Sequence, residues 1–417
     1  MNQSVNLMDP AVYGAGIPVD TYAWLREHDP VHWNEPLERH YDDSALQPPP
    51  AQGFWALTRY ADVSHVSRHP ELFSSERGTA LMGDVWPHDL WMWRQQLIHM
   101  DPPRHTHFRR ILSQAFTPRR IRELHGFIEE RCTAIVDDLI ERGPCDFVDV
   151  VAKELPLQVV GELFGMPQDD FPLLTDWTDR IIGIDDPAAG GSPNESLLAV
   201  NELFGYVTEL GQEKRRSPDG TVVSELVNST VHLDDEADER PLTPPEINMF
   251  FFLLVIAGNE TTRNALSGGV QALSDHPDQR RRLVEDRSLL DTATDEIVRF
   301  ISPVIAFRRT VMAPTELGGQ ALDEGEKVVV FYGAANRDPE VFADPDRFDV
   351  GRDPNHHLGF GIGTHYCLGA NLARAEVSAM FAELMRRVPD IEVGGEPSRW
   401  RSTLVNSWKT MPVAFTA

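Results

Sequence analysis

Apolar side chains recur at three- and four-residue intervals through residues 108–139, 155–164, 198–215, 246–273, 291–300 and 369–387. That spacing gathers them on one helical face, so each stretch predicts an α-helix with a buried side. Strand-like runs are fewer and shorter, at 54–58, 328–332 and 412–415, with short extended pieces over 309–322 that turn at Gly318 and Gly319. The pattern predicts a mainly α protein with a minor β part. Breaks at 47–50, 185–193, 217–220 and the acidic run 234–240 read as loops, and none resembles a linker between independent units. We read residues 1–417 as one domain. Residues 337–358 are dense in Pro, Asp and Phe and lack periodicity, which predicts a long irregular segment pinned by packing.

Composition narrows this picture. Hydrophobic residues make up 41% and charged residues 25%, a folded balance, with a formal charge of −27. A phosphate backbone is repelled by such a field, so a nucleic-acid partner is not expected. The most apolar run, 247–258, is ~12 residues against the ~20 that a bilayer requires, which predicts a buried helix and no membrane anchor. Residues 1–20 lack a basic stretch followed by an apolar one, so no signal peptide is expected. Cys132, Cys145 and Cys367 form no CxxC pair, which fits a reducing cytoplasm.

Candidate chemistry centres on Cys367. The run Phe360-Gly361-Ile362-Gly363-Thr364-His365-Tyr366-Cys367-Leu368-Gly369 places two turn-forming glycines before the cysteine and a helix start after it. Unpaired amides at a helix start favour a thiolate, so a depressed pKa is expected for Cys367. A buried inert thiol is the plain alternative and is assigned to Cys132 and Cys145. Zinc competes as a metal, but no second Cys or His stands at ligand spacing.

Six fixed positions in those ten, Phe360, Gly361, Gly363, His365, Cys367 and Gly369, match the haem-binding loop of the cytochromes P450, and the chain resembles that superfamily throughout its length. The resemblance implies the P450 fold, with a haem b buried between the long central helix and the helix after the cysteine loop. It makes Cys367 the iron ligand, with Phe360 and Gly361 framing the thiolate. His105 and Arg109, four apart on one helix face, resemble a propionate-binding pair; Arg309 and His365 match two further propionate contacts, with Arg308 as the alternative to Arg309. Glu296 and Arg299 match the family's Glu-x-x-Arg, about 70 residues before the cysteine loop, and Arg347 is the expected third, structural member.

Within 246–273, Ala257-Gly258-Asn259-Glu260-Thr261-Thr262 resembles the acid–alcohol pair that feeds protons to oxygen, with Glu260 as acid, Thr261 as alcohol and the role of Thr262 left open. A threonine bonding back onto the helix would open a local groove there. The pair favours a monooxygenase over the competing class, a haem-thiolate sensor, which needs no relay. It also implies O2 as co-substrate and electrons from a ferredoxin with its NAD(P)H-dependent reductase, docking near Arg110 or Arg374. A monomer is expected.

The pocket segments of the family map onto 79–93, 181–194, 254–258, 304–307 and 404–408. They offer Ala257, Val304 and Phe307, then Leu81, Met82, Trp86 and Trp91–Trp93, then Ile305 and Trp408. Such a lining predicts a hydrophobic small-molecule substrate. The stretches 257–264, 335–338 and 368–374 resemble the branch that hydroxylates sterol side chains and methyl-branched lipids, so the expected substrate is a steroid side chain, a terpenoid or a branched lipid; a fatty acid or an aromatic secondary metabolite is the alternative.

Overall fold

The computed structural model describes residues 5–38, 48–183, 192–233 and 238–416. The expected loop at 185–193 and the acidic run at 234–240 lie largely outside these residues. Helices dominate. The stretch read as one helix over 108–139 is two, α1 (Arg104–Ser113) and α2 (Pro118–Arg142). The break follows from Thr117, whose hydroxyl accepts from the Arg120 N–H, and from Pro118, which lacks the amide an unbroken helix needs. Next come α3 (Glu154–Phe164), α4 (Phe171–Ile182) and α5 (Pro193–Arg216). The spacing of Phe171, Leu174 and Trp177, all buried, marks α4 in the sequence, although that stretch was not among the expected helices.

The central helix α6 (Pro244–Asp275) starts at a capping box: Thr243 accepts from the Glu246 N–H while the Glu246 carboxylate accepts from the Thr243 N–H. It packs on α3, on α7 (Leu290–Ile301) and on α8 (Ala370–Arg387), so that its middle is enclosed on several sides. Among the described residues, no helix is long and apolar enough to cross a membrane.

The main sheet has the order β1-β2-β5-β4-β3, formed by β1 (Val31–Asn34), β2 (Phe54–Leu57), β3 (Phe73–Ser74), β4 (Ala306–Val311) and β5 (Lys327–Phe331). Strand β5 is buried along its whole length because it pairs with β2 on one side and β4 on the other. Its antiparallel register with β4 sets Val328 opposite Arg309 and Val329 opposite Arg308. Alternation then sends the two arginines to opposite faces of the sheet. The expected turn at Gly318 and Gly319 closes a hairpin, both glycines having positive φ (59° and 87°).

Candidate active site

The cysteine loop runs from the end of the irregular segment into α8. Gly361 has φ +69°, and a side chain at Gly363 (φ +74°) would meet the Ser67 carbonyl oxygen at 2.5 Å, so neither position accepts a larger residue without strain. The Cys367 N–H donates to the Phe360 carbonyl at 2.8 Å, which closes the loop on itself. Cys367 is partly exposed and lines a cavity. Burial pushes its thiol pKa up, opposed by a backbone hydrogen bond from Gly369 and by the charges of Arg109 and Arg374. The expected depression is therefore not met by the protein alone, because desolvation outweighs the helix start; a thiolate here calls for a cation on the sulfur. Among the described residues, no group of three or more His, Cys, Asp or Glu side chains is placed to hold a metal ion.

Cys367, Phe360 and Gly361 line one wall of the cavity, and Ala257, Gly258, Thr261 and Thr262 of α6 another. At one end stand His105, Arg109 and His365. The His105 and His365 rings meet edge-on, with centroids 4.5 Å apart. Arg109 donates to the Tyr366 carbonyl at 2.7 Å. The His105 Nε2 is buried without a hydrogen-bond partner. Arg309 is 4% exposed, bonds to the Arg308 carbonyl at 2.7 Å, and has no carboxylate at ion-pairing distance among the described residues. Burial, then the charges of Arg309, His105, Arg109 and His99, hold the His365 pKa well below its usual value. Burial, Arg109 and Arg309 push His105 down to about 4. A buried cluster of mutually repelling bases with an unpartnered donor is costly unless an anion sits among them. Carboxylates such as haem propionates meet that need, and the donor set fits the group.

His99 belongs to this cluster and was not singled out from the sequence. It is 1% exposed, and its Nδ1 accepts from the Ala80 N–H at 2.8 Å. Arg308 faces away, 3.0 Å from Asp84, which also holds Lys327 at 2.7 Å. That geometry separates the two arginines as the sequence could not.

Behind the cavity, Glu296 and Arg299 are fully buried and pair at 2.7 Å. The third residue is Arg352, not Arg347. Arg352 Nε lies 3.1 Å from Glu296, whereas Arg347 contributes only its backbone carbonyl, which accepts from Arg299 and Arg352. Both arginines lie in the irregular segment, and its turns carry Arg352 back to the pair.

Helix α6 is unbroken where it passes the cavity. Thr261 Oγ1 donates to the Ala257 carbonyl at 2.8 Å, the expected back-bond. Gly258 has a packing reason: a Cβ there would meet Val160 of α3 at 2.8 Å. Glu260 does not line the cavity. It is fully buried, accepts from Ser407 at 2.6 Å and lies 2.6 Å from Arg263, which reaches on to Asp179 at 2.8 Å. Burial works against the Arg263 charge, but Glu260 and Asp179 outweigh it and raise its pKa.

Ala257, Val304 and Phe307 all line the cavity, joined by Leu97, Val160 and Phe164. Several other expected lining residues do not. Trp86 and Trp91 are 39% and 54% exposed, Met82 and Ile305 pack in a cluster beside the sheet, and Trp408 is buried under the Arg399 guanidinium. The expected lining at 184–191 falls outside the described residues.

Comparison with known proteins agrees with this geometry. Residues 192–388 match the family model described as Cytochrome P450. The chain is 38% identical over 422 residues to a steroid C26-monooxygenase of Rhodococcus jostii (strain RHA1), covering 99% of this chain and 85% of that protein. It is 41% identical over 368 residues to a methyl-branched lipid omega-hydroxylase of Mycobacterium bovis, covering 87% of this chain and 84% of that one. Among solved structures, the Mycobacterium marinum cytochrome P450 CYP268A2 in complex with pseudoionone superposes with a TM-score of 0.88 at 38% identity, covering 97% of each chain.

Proposed function

The chain belongs to the cytochrome P450 family as a monooxygenase of hydrophobic compounds, and on that premise we propose that Cys367 ligates the iron of a haem b. The observation that carries this is the buried basic end of the cavity, lined by His105, Arg109 and His365, with the buried Arg309 charge acting on both histidines and no described carboxylate paired with it. When bound, the haem supplies the oxygen-activating and electron-accepting chemistry, one atom of O2 entering a C–H bond of the substrate and the other leaving as water.

The protein's own residues set the conditions. Phe360 shields the sulfur, with the Arg374 guanidinium 4.5 Å from its ring centroid. Thr261 spends its proton on Ala257, so its oxygen is free to accept a hydrogen bond from a water in the cavity. Glu260 acts as the acid of the relay: once its pair with Arg263 opens it takes up a proton from solvent and passes that proton toward Thr261. Glu296, Arg299 and Arg352 fix the irregular segment that leads into the cysteine loop.

The substrate we infer is a steroid side chain, a terpenoid or a methyl-branched lipid. Two supports bear on it. The cavity wall above Cys367, from Leu97 through Val160 to Phe307, is apolar, and the relatives named above are a steroid and a lipid hydroxylase. The electron donor we infer is a small ferredoxin served by an NAD(P)H-dependent reductase, meeting the cysteine side of the protein. Arg110 is exposed there, whereas Arg374 is tied to Asp295 at 2.7 Å, so Arg110 carries more of the encounter. Titration of the purified haem protein with cholestenone, a methyl-branched fatty acid and a terpenoid ketone tests the substrate class. An aromatic polyketide is titrated beside them; a spin-state shift in the Soret band with any of the first three supports the reading, and a shift with the polyketide alone overturns it.

A further inference from the structure

One helix face of α8 looks onto the cavity. Gly369, Leu372, Ala373, Glu376 and Val377 follow the three- and four-residue spacing of a single stripe, and all five line the wall on the cysteine side. Four are apolar; Glu376 is not. It is 2% exposed, and its Oε2 is buried with no hydrogen-bond partner. Among the described residues, no cation lies at ion-pairing distance from it. An ionised carboxylate in such a place is strongly disfavoured, so the geometry alone requires the neutral acid. Desolvation raises its pKa to about 8, in keeping with that.

Among the described residues, the groups that α2, α7 and α6 bring against α8 offer no compensating charge. From α2 comes the Cys132 thiol, held neutral by burial, with Glu383 and Glu129 pushing its pKa up further. From α7, Asp295 is occupied by Arg374 and His357. From α6, Ala265 and Thr262 line the same cavity. The remaining cations of the cysteine wall, Arg109 and Arg374, act on Cys367. None of the residues assigned above to iron, propionates, oxygen or substrate uses this acid.

We propose that Glu376 is the redox-linked proton-binding group of the haem site, an inference that rests on the haem reading above. With haem bound, reduction would add one negative charge within the cavity that this carboxyl lines, which would raise its affinity for a proton; oxidation would lower it. At a pH above about 8, where the acid of the oxidised haem protein is ionised, each electron supplied by the reductant would be matched by one proton from solvent forming the O–H bond on Glu376, and reoxidation would reverse both. Glu376 acts through the electrostatics of the site and is a positioning residue, not a catalytic one.

Spectroelectrochemical titration of the haem protein from pH 6.5 to 9.5, with wild type beside Glu376→Gln, tests this. The wild-type potential is expected to fall as the pH rises past about 8. Its limit is a tenfold change in the reduction equilibrium per pH unit, ~59 mV for one electron. Glu376→Gln, which mimics the neutral acid, is expected to stay at the wild-type low-pH plateau throughout. A flat wild-type profile overturns the proposal, as does the same slope in both proteins. On the haem-free chain, infrared difference spectra of wild type against Glu376→Gln are expected to show a protonated carboxyl band at pH 7, and its absence overturns the proposal even where the variant folds poorly. Failure of the haem reading would appear differently, as a wild-type chain with no haem spectrum.

Discussion

Replacing Glu296 by Ala removes the one carboxylate at the centre of a buried knot. In the folded chain Glu296 receives both Nε and Nη2 of Arg299 at 2.7 and 2.8 Å, Nε of Arg352 at 3.1 Å, the Asp349 N–H at 2.9 Å and the Asn355 amide at 3.2 Å. Glu296 and Arg299 are fully buried. Loss of the carboxylate strands two guanidinium groups, and removing one partner of a buried ion pair costs about 3–5 kcal/mol. The orphaned Asp349 N–H adds about 1–3 kcal/mol, not additively. A total near 5 kcal/mol, set against an unfolding entropy of ~2 cal/mol/K per residue, lowers Tm by about 5–6 °C for a chain of this length. Part of the loss is recoverable. In Glu296→Ala/Arg299→Met the uncompensated Arg299 charge is gone, and the double variant is expected to be more stable than Glu296→Ala alone. Thermal melts and urea unfolding of the three proteins read this out. A single variant within 1 kcal/mol of wild type, or a double variant less stable than the single, would refute the account of the knot.

Two further outcomes follow from the site. Thr261→Ala removes the hydroxyl that offers its lone pairs to the cavity, so NAD(P)H and oxygen consumption persist while product per oxygen falls several-fold; full coupling in the variant counts against the relay. His99, pushed down to about 3 by burial and then by Arg309, refuses a proton that the unfolded chain takes up below 6.5. The folded state therefore loses stability as the pH falls through that window, and nothing is lost above it. His99→Gln should reduce the acid-limb slope of the haem-free protein by ~1.4 kcal/mol per pH unit, the value of one proton. Equal slopes in urea titrations at pH 4–6 would contradict the buried neutral imidazole.

The parts of the site that were legible in the sequence are those written locally. The cysteine loop packs its turn glycines, its ligand and its helix start into ten residues, and His105 with Arg109 or Glu296 with Arg299 need only helical spacing. Features made by distant segments were less legible. Arg347 and Arg352 stand five apart in a segment without periodicity, so nothing local says which returns to Glu296. Arg308 and Arg309 differ only in strand face, which the pairing of β4 with β5 decides. The tryptophans at 86 and 91 read as pocket lining because they fall in a segment that lines the pocket in the family, yet here they stand at the surface. Pro118 did carry a signal, a proline after a capping threonine, and the apolar periodicity running across it masked the break. Glu376 also carried one: a single acid in the apolar stripe of a helix directly after the cysteine.

The central claim is that Cys367 bears the iron. The direct measurement is the absorption spectrum of the reduced, carbon monoxide-bound protein, taken for wild type and for Cys367→His, both reconstituted with haem. The account predicts the strongly red-shifted Soret band of thiolate ligation in the wild type and its loss in Cys367→His, with haem still bound at the basic end formed by His105, Arg109, Arg309 and His365. A wild-type spectrum without that band, or the same band in the variant, would contradict it.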